Sequence, residues 1–214
     1  SSSVLMVGGT YDAEDPFGVW EIYRSLRENN PKIDCRIVVG PWVHGAWRSN
    51  DDANRIGDVE FSQESLSEFY RKEVEFPFFE QKLRGQGDGG ASAMGAMVFF
   101  SGENCWREME NWNPEQYERV AMYMHEDGAL RTQASEDADS YSVYTSDMKN
   151  PVPYYKDTST TRQNEYMVAS QEFVDGREDV LTFLSPVLEQ DVTVAGVVEA
   201  ELFAAISQTD ADFV

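Results

Sequence analysis

The chain has 214 residues, enough for one large or two small domains, and its 41% hydrophobic and 13% aromatic content can fill a core, which excludes a disordered polypeptide. Acidic residues outnumber basic ones 39 to 17, and the resulting formal charge of −22 repels phosphate backbones, which excludes nucleic acid as a partner. No run of about 18 apolar residues occurs, so no membrane span is expected, and the distant pair Cys35 and Cys105 makes neither a disulfide framework nor a C-x-x-C metal motif.

Val4 to Val7 is a short apolar run that ends at Gly8-Gly9 and reads as a buried parallel strand. A polar loop, TYDAEDPFG, follows, with Pro16 placed to open a helix. Phe17, Trp20, Tyr23 and Leu26 fall at helical spacing, which predicts a helix ending near Asn29-Asn30. Arg36 to Val39 is a second strand, closed by Gly40-Pro41. Strand, helix, strand is the unit of a parallel α/β sheet. PWVHGAWRSNDDANRIGDVEF has no clear period and reads as a long loop, with Asp51-Asp52 in an ordinary solvated part of it. Ser65 and Glu68 predict a capping box, with Leu66, Phe69, Tyr70 and Val74 on one helical face. Pro77 is expected to kink or restart that helix.

Gly85 to Gly90, GQGDGG, reads as a linker. Beyond it β-rich segments recur between turn signals: AMVFFS, RVAMYMHE, SYSVYTS, EYMVAS, DVLTFLS, DVTVAG and EAELFAAIS. Many short strands with turns predict a β-sandwich or jelly roll. The expected organisation is an α/β part at residues 1–88 followed by an all-β part at 89–214.

Asp12 and His44 each lie just past a predicted strand. Loops at the carboxyl ends of neighbouring parallel strands share one rim of the sheet, where α/β proteins hold ligands. An acid bonded to one ring nitrogen fixes the imidazole tautomer and leaves the other nitrogen as a base. The same spacing also fits a structural hydrogen bond. No G-x-S-x-G nucleophile motif occurs; GASAMG, around Ser92, lacks a preceding buried strand, and neither it nor Ser1 to Ser3 reads as a nucleophile. No metal and no cofactor is expected: the only histidines are His44 and His125, with no H-x-x-x-H pair. Asp12, Glu14 and Asp15 read as a hydrogen-bonded carboxylate loop rather than a calcium site. Trp42 and Trp47 flank His44 and read either as a substrate-pocket wall or as packing of their own loop. Trp106 and Trp112 read as a sugar or peptide platform, or as core.

The string GGTYDAEDPFG, RIVVGPWVHGAW, GDVEF, EFPFFEQKLRGQG, FFSGENCWREMENWNP, SDMKNPVPYY, EYMVASQEF and REDVLTFLSPVLEQDVTVAG resembles the CocE/NonD-type serine hydrolases, in family order along nearly the whole chain. This group includes cocaine esterases, X-Pro dipeptidyl-peptidases, α-amino-acid ester hydrolases and glutaryl cephalosporanic acid acylases. The resemblance implies an α/β-hydrolase part followed by a partial jelly roll, with Asp12 as triad acid and His44 as triad base. The YDAED wording leans toward the ester hydrolase and acylase branch. Thr10 stands where the family commonly has tryptophan, and Ser170 where it often has aspartate. The implied activity is hydrolysis of small ester or amide substrates. The nucleophilic serine is expected upstream of this stretch, so the chain alone is expected to be inactive. The cysteines leave the compartment open, with a secreted or periplasmic location favoured. The alternative reading is a non-catalytic β-sandwich module that binds sugar or peptide.

Overall fold

The computed structural model describes residues 2–49, 54–62, 64–90, 95–137, 139–211 and 213. Asp51-Asp52, Ser92 of GASAMG and Ser1 lie outside the described residues. The first three expected elements form: β1 (Ser3–Gly9), α1 (Pro16–Asn29) and β2 (Asp34–Gly40). β1 and β2 pair in parallel, from Ser3 opposite Asp34 to Gly9 opposite Gly40. Pro16 opens α1 where its missing N–H costs nothing. The stripe of α1 that meets the sheet is Val19, Trp20, Tyr23 and Leu26, packed against Met6, Ile37 and Val39. Phe17, expected on that face, is 75% exposed, because the apolar stripe begins at Val19.

The long loop after β2 holds a 3-10 turn at Ala46–Arg48 and a small hairpin of β3 (Arg55–Ile56) and β4 (Val59–Glu60). Its apolar anchors, Trp42, Ile56 and Phe61, are buried.

The second helical run covers the other face of the sheet. It passes through α2 (Leu66–Phe69), a π segment (Tyr70–Glu75), α3 (Phe76–Phe79) and a second π segment (Glu80–Arg84). Leu66, Tyr70, Val74 and Phe78 are its buried apolar residues. Their strict four-residue spacing drifts around a regular α-helix, and wider π turns keep the stripe on the sheet. Pro77 falls in the first turn of α3, where the α geometry restarts after the π segment. The π turn ahead of it, closed by the Phe76 N–H donating to Arg71 O, absorbs the residue that cannot donate. Ser65 caps the run by accepting the Glu68 N–H at 3.3 Å. The reciprocal half of the capping box is replaced by a Glu68–Lys72 ion pair one turn on. Ser65→Ala is expected to cost about 1 kcal/mol in urea denaturation, the usual loss for an N-cap hydroxyl.

The sheet continues past the glycine run. β5 (Ala96–Phe100) pairs in parallel with β2 and in antiparallel with β6 (Cys105–Met109), giving the order β1-β2-β5-β6. Every residue of β5 is buried, because both faces of the sheet are covered. Val38, Met97 and Phe99 face the second helical run, while Ile37, Val39, Ala96 and Val98 face α1.

GQGDGG is held rather than free. The buried Arg36 of β2 donates to Gly89 O at 3.1 Å and to Gln81 Oε1 at 2.8 Å, with its guanidinium 5.2 Å from the Phe78 ring centre. Gly90 has φ +73°, and a Cβ there would lie 2.2 Å from Glu73 O, so only glycine fits.

Of the remaining β-rich segments, two form short strands or bridges among the described residues. β7 (Tyr123–Met124) pairs with β8 (Leu130–Arg131), and Leu184 bridges Ala129. EYMVAS contributes a 3-10 turn, Glu165–Met167, and SYSVYTS, DVTVAG and EAELFAAIS form no strand. The expected sandwich is therefore not built by these residues. Most of their apolar side chains face solvent, as at Val194 (74% exposed) and Phe203 (96%). A strand of alternating character gains its stability from a facing layer, and these segments touch the core through single side chains such as Val168 and Ala195 rather than through a paired face.

Candidate active site

Two loops at the carboxyl rim of the sheet bring Asp12 and His44 together. The parallel pairing runs beyond the strand ends: Thr10 N–H donates to Gly40 O at 2.8 Å, and Tyr11 N–H to Trp42 O at 3.1 Å. The approach is so close that a Cβ on Gly9 would lie 2.1 Å from Trp42 O. The loops are thus zipped to within one residue of Asp12 and two of His44.

Asp12 is 5% exposed. Its Oδ1 accepts the N–H of Glu14 at 2.8 Å and of Asp15 at 3.2 Å, the turn geometry that Asp favours ahead of a helix. His44 Nδ1 lies 3.0 Å from Oδ2 and 3.2 Å from Oδ1 of the same carboxylate. An ionised carboxylate only accepts, so Nδ1 carries the proton and donates. Nε2 is then the free base nitrogen. The His44 side chain is 44% exposed, against 4% for Asp12, so the acid is sheltered and the base is open.

His44 lines a shallow pocket of about 200 Å³ together with Glu14, Val43, Arg162 and Asn164. Glu14 Oε2 is 3.9 Å from Nε2, and Asp15 Oδ2 is 3.9 Å from Nδ1. Arg162, from the far C-terminal region, pairs with Glu14. Sequence reasoning missed Arg162 and Asn164. No periodicity or motif links residue 162 to residue 14, so no local signal could have found them.

The tryptophans beside His44 take structural positions. Trp42 is 1% exposed and sits among Trp47, Tyr70 and Trp106, with ring centroids 5.7 to 6.2 Å away. Trp47 is partly buried at the edge of the same cluster. Neither lines the pocket. Burial pushes the neighbouring Tyr70 hydroxyl well above the usual phenol range, with help from Glu75. Trp106 stacks on Phe69, and Trp112 packs against Trp20 and Tyr117, so each is engaged in aromatic packing rather than standing clear as a binding platform.

Among the described residues no group of three or more His, Cys, Asp or Glu side chains is arranged to hold a metal ion. No helix among them is long and apolar enough to cross a membrane.

Comparison with known proteins gives these findings a family. The chain is similar to cocaine esterase from Rhodococcus sp. (strain MB1 Bresler), 28% identical over 223 aligned residues that cover 100% of this chain and 37% of the esterase. It superposes on an aminopeptidase from a marine sediment Thaumarchaeota archaeon with a TM-score of 0.73 and 27% identity, covering 85% of this chain and 30% of that one. An α-amino acid ester hydrolase gives a TM-score of 0.72 at 26% identity, covering 87% and 31%. The chain thus spans about a third of the length of each of these relatives. Residues 80–214 match the family described as the X-Pro dipeptidyl-peptidase C-terminal non-catalytic domain. Asp12 and His44 both precede that match. The chain belongs to the CocE/NonD-type, X-Pro peptidase-like group and carries, at residues 80–214, the domain described as C-terminal and non-catalytic.

Proposed function

We propose that this chain supplies the acid and the base of a serine hydrolase that cleaves ester or amide bonds of small acyl or aminoacyl substrates. The observation that carries the reading is the contact of the sheltered Asp12 carboxylate with His44 Nδ1 at 3.0 Å, with the half-exposed His44 lining a pocket. In this reading residues 1–88, with β5 and β6 added to their sheet, are the end of an α/β-hydrolase domain, and the stretch beyond β6 belongs to a jelly roll. The exposed apolar side chains at Val187 and Phe203 support a jelly-roll face that meets a further layer.

The chemistry follows from the tautomer. A serine hydroxyl, supplied outside residues 1–214, attacks the substrate carbonyl while Nε2 takes its proton. The imidazolium that forms is stabilised by Asp12, which stays ionised. Collapse of the tetrahedral intermediate breaks the carbonyl bond to the leaving group, and Nε2–H protonates the departing alkoxide or amine. Water then attacks the acyl ester with the same nitrogen as base, and the acid product and free serine are restored. Trp42 and Trp47 form the packed floor of the His44 loop. The names of the relatives, an esterase, an ester hydrolase and an aminopeptidase, support small ester or amide substrates.

A fluorophosphonate probe tests the reading. The 214-residue chain should remain unlabelled, because the attacking serine is absent. A longer polypeptide from the same reading frame that includes a G-x-S-Y-x-G segment should label, and His44→Ala should abolish that labelling. Labelling of the 214-residue chain, or a folded longer polypeptide that stays unlabelled, contradicts the proposal.

A further inference from the structure

Four charged groups from two separate regions surround one imidazole. From the loop before α1, Asp12 and Asp15 face Nδ1 and Glu14 faces Nε2. From the C-terminal region comes Arg162, which lines the same pocket and pairs with Glu14, beside the neutral Asn164. Arg48, on the turn after His44, lies near Gly45. Nε2 is useful as a base only while no neighbouring carboxylate holds its proton, and Glu14 is 3.9 Å from it, a small side-chain movement away from a direct hydrogen bond.

We infer that Arg162 is a positioning residue that draws the Glu14 carboxylate off His44 Nε2 and so keeps that nitrogen free. A guanidinium binds a carboxylate through a planar fork and stays charged at every working pH, which suits it to a permanent tie. Without it, Glu14 is released to accept from Nε2–H of the imidazolium. Opposite charge within about 4–6 Å favours the charged ring, so His44 then holds its proton to higher pH. The inference deepens the serine-hydrolase reading, since a free Nε2 matters for proton transfer. It also links residues 80–214, the region matched as non-catalytic, to the base through one ion pair.

The sign follows from charge. Removing the Arg162 cation leaves three carboxylates around one imidazole, which stabilises imidazolium and raises the titration midpoint. In a longer active polypeptide the acid limb of the kcat/KM profile should move up with it.

The test is an NMR titration of the two histidine rings in the 214-residue chain, with His125 as internal reference. Arg162→Gln should raise the His44 midpoint by about half to one pH unit, the scale expected of a nearby surface charge. Arg162→Lys should restore most of the original value. Glu14→Gln combined with Arg162→Gln should show a smaller rise above the Glu14→Gln single variant than Arg162→Gln shows above the parent chain, because part of the effect passes through Glu14. The His125 midpoint should stay fixed in each, which shows that the fold is intact. An unchanged or lowered His44 midpoint in Arg162→Gln, or an equal rise in the Glu14→Gln background, overturns the inference. Asp12→Asn separates this from the parent reading. If Asp12→Asn lowers the midpoint and Arg162→Gln does not raise it, only the Arg162 role fails. If Asp12→Asn leaves the midpoint unchanged, the acid–base pair itself fails.

Discussion

Asp12→Asn in a longer, catalytically active polypeptide should lower kcat by about 10⁴-fold, the loss seen when the acid of a Ser-His-Asp triad becomes an amide. The amide is nearly isosteric, and it can still accept the N–H groups of Glu14 and Asp15, which now bond to Asp12 Oδ1 at 2.8 and 3.2 Å. What it loses is charge and tautomer control. An amide NH₂ facing His44 Nδ1 favours the ring with its proton on Nε2, the nitrogen that must accept. An amide also leaves the imidazolium without its counter-charge in the transition state. His44→Ala removes the base itself and should cost about 10⁶-fold. The double variant should be no worse than His44→Ala, since the two side chains act as one unit. Steady-state kinetics on an ester substrate check all three. A loss under tenfold for Asp12→Asn would mean that the contact is only structural.

The second large effect is on stability. Trp42→Ala should destabilise the chain by about 3–5 kcal/mol, the range for deleting a fully buried aromatic side chain. Trp42 is 1% exposed and shares contacts with Trp47, Tyr70 and Trp106. No single neighbour can move to fill so large a void, and the cavity term adds to the lost burial. Domain stability totals only about 5–15 kcal/mol, so the variant should lose much of its margin in urea. Trp47→Ala, at the edge of the cluster, should cost less. A Trp42→Ala loss below about 1 kcal/mol would show that the ring is not buried in solution and would return it to the pocket wall.

Parts of this fold were legible because local pattern and tertiary role coincide there. VLMV and RIVV are continuous apolar runs, and both form strands covered on two faces. Trp20, Tyr23 and Leu26 fall on one face of a helix because that face meets the sheet. The juxtaposition of Asp12 and His44 was legible for a topological reason: two parallel neighbours must end on the same rim.

Other parts were hidden by competing signals. The glycine run GQGDGG reads as a flexible boundary, yet Arg36 grips it from within the sheet, and a buried arginine on a strand has no sequence pattern of its own. The parallel docking of β5 on β2 was missed for the same reason, although the unalternating run AMVFF carries the mark of a strand buried on both sides. Pro77 reads as a helix breaker, but its effect is spread over π turns that a periodicity count at 3.6 cannot register. The alternating segments beyond residue 110 have strand character, yet most of their apolar side chains are exposed, so pattern and structure part there. Arg162 depends on chain packing at long range, which no local rule reaches.

The central claim, that a sheltered carboxylate fixes the proton on the inner nitrogen of His44, is tested most directly by ¹⁵N NMR of the neutral imidazole in the 214-residue chain. The Nδ1–H tautomer is expected, with a bare Nε2, and it should be lost in Asp12→Asn. A His44 ring with its proton on Nε2, unaffected by that substitution, would contradict the account.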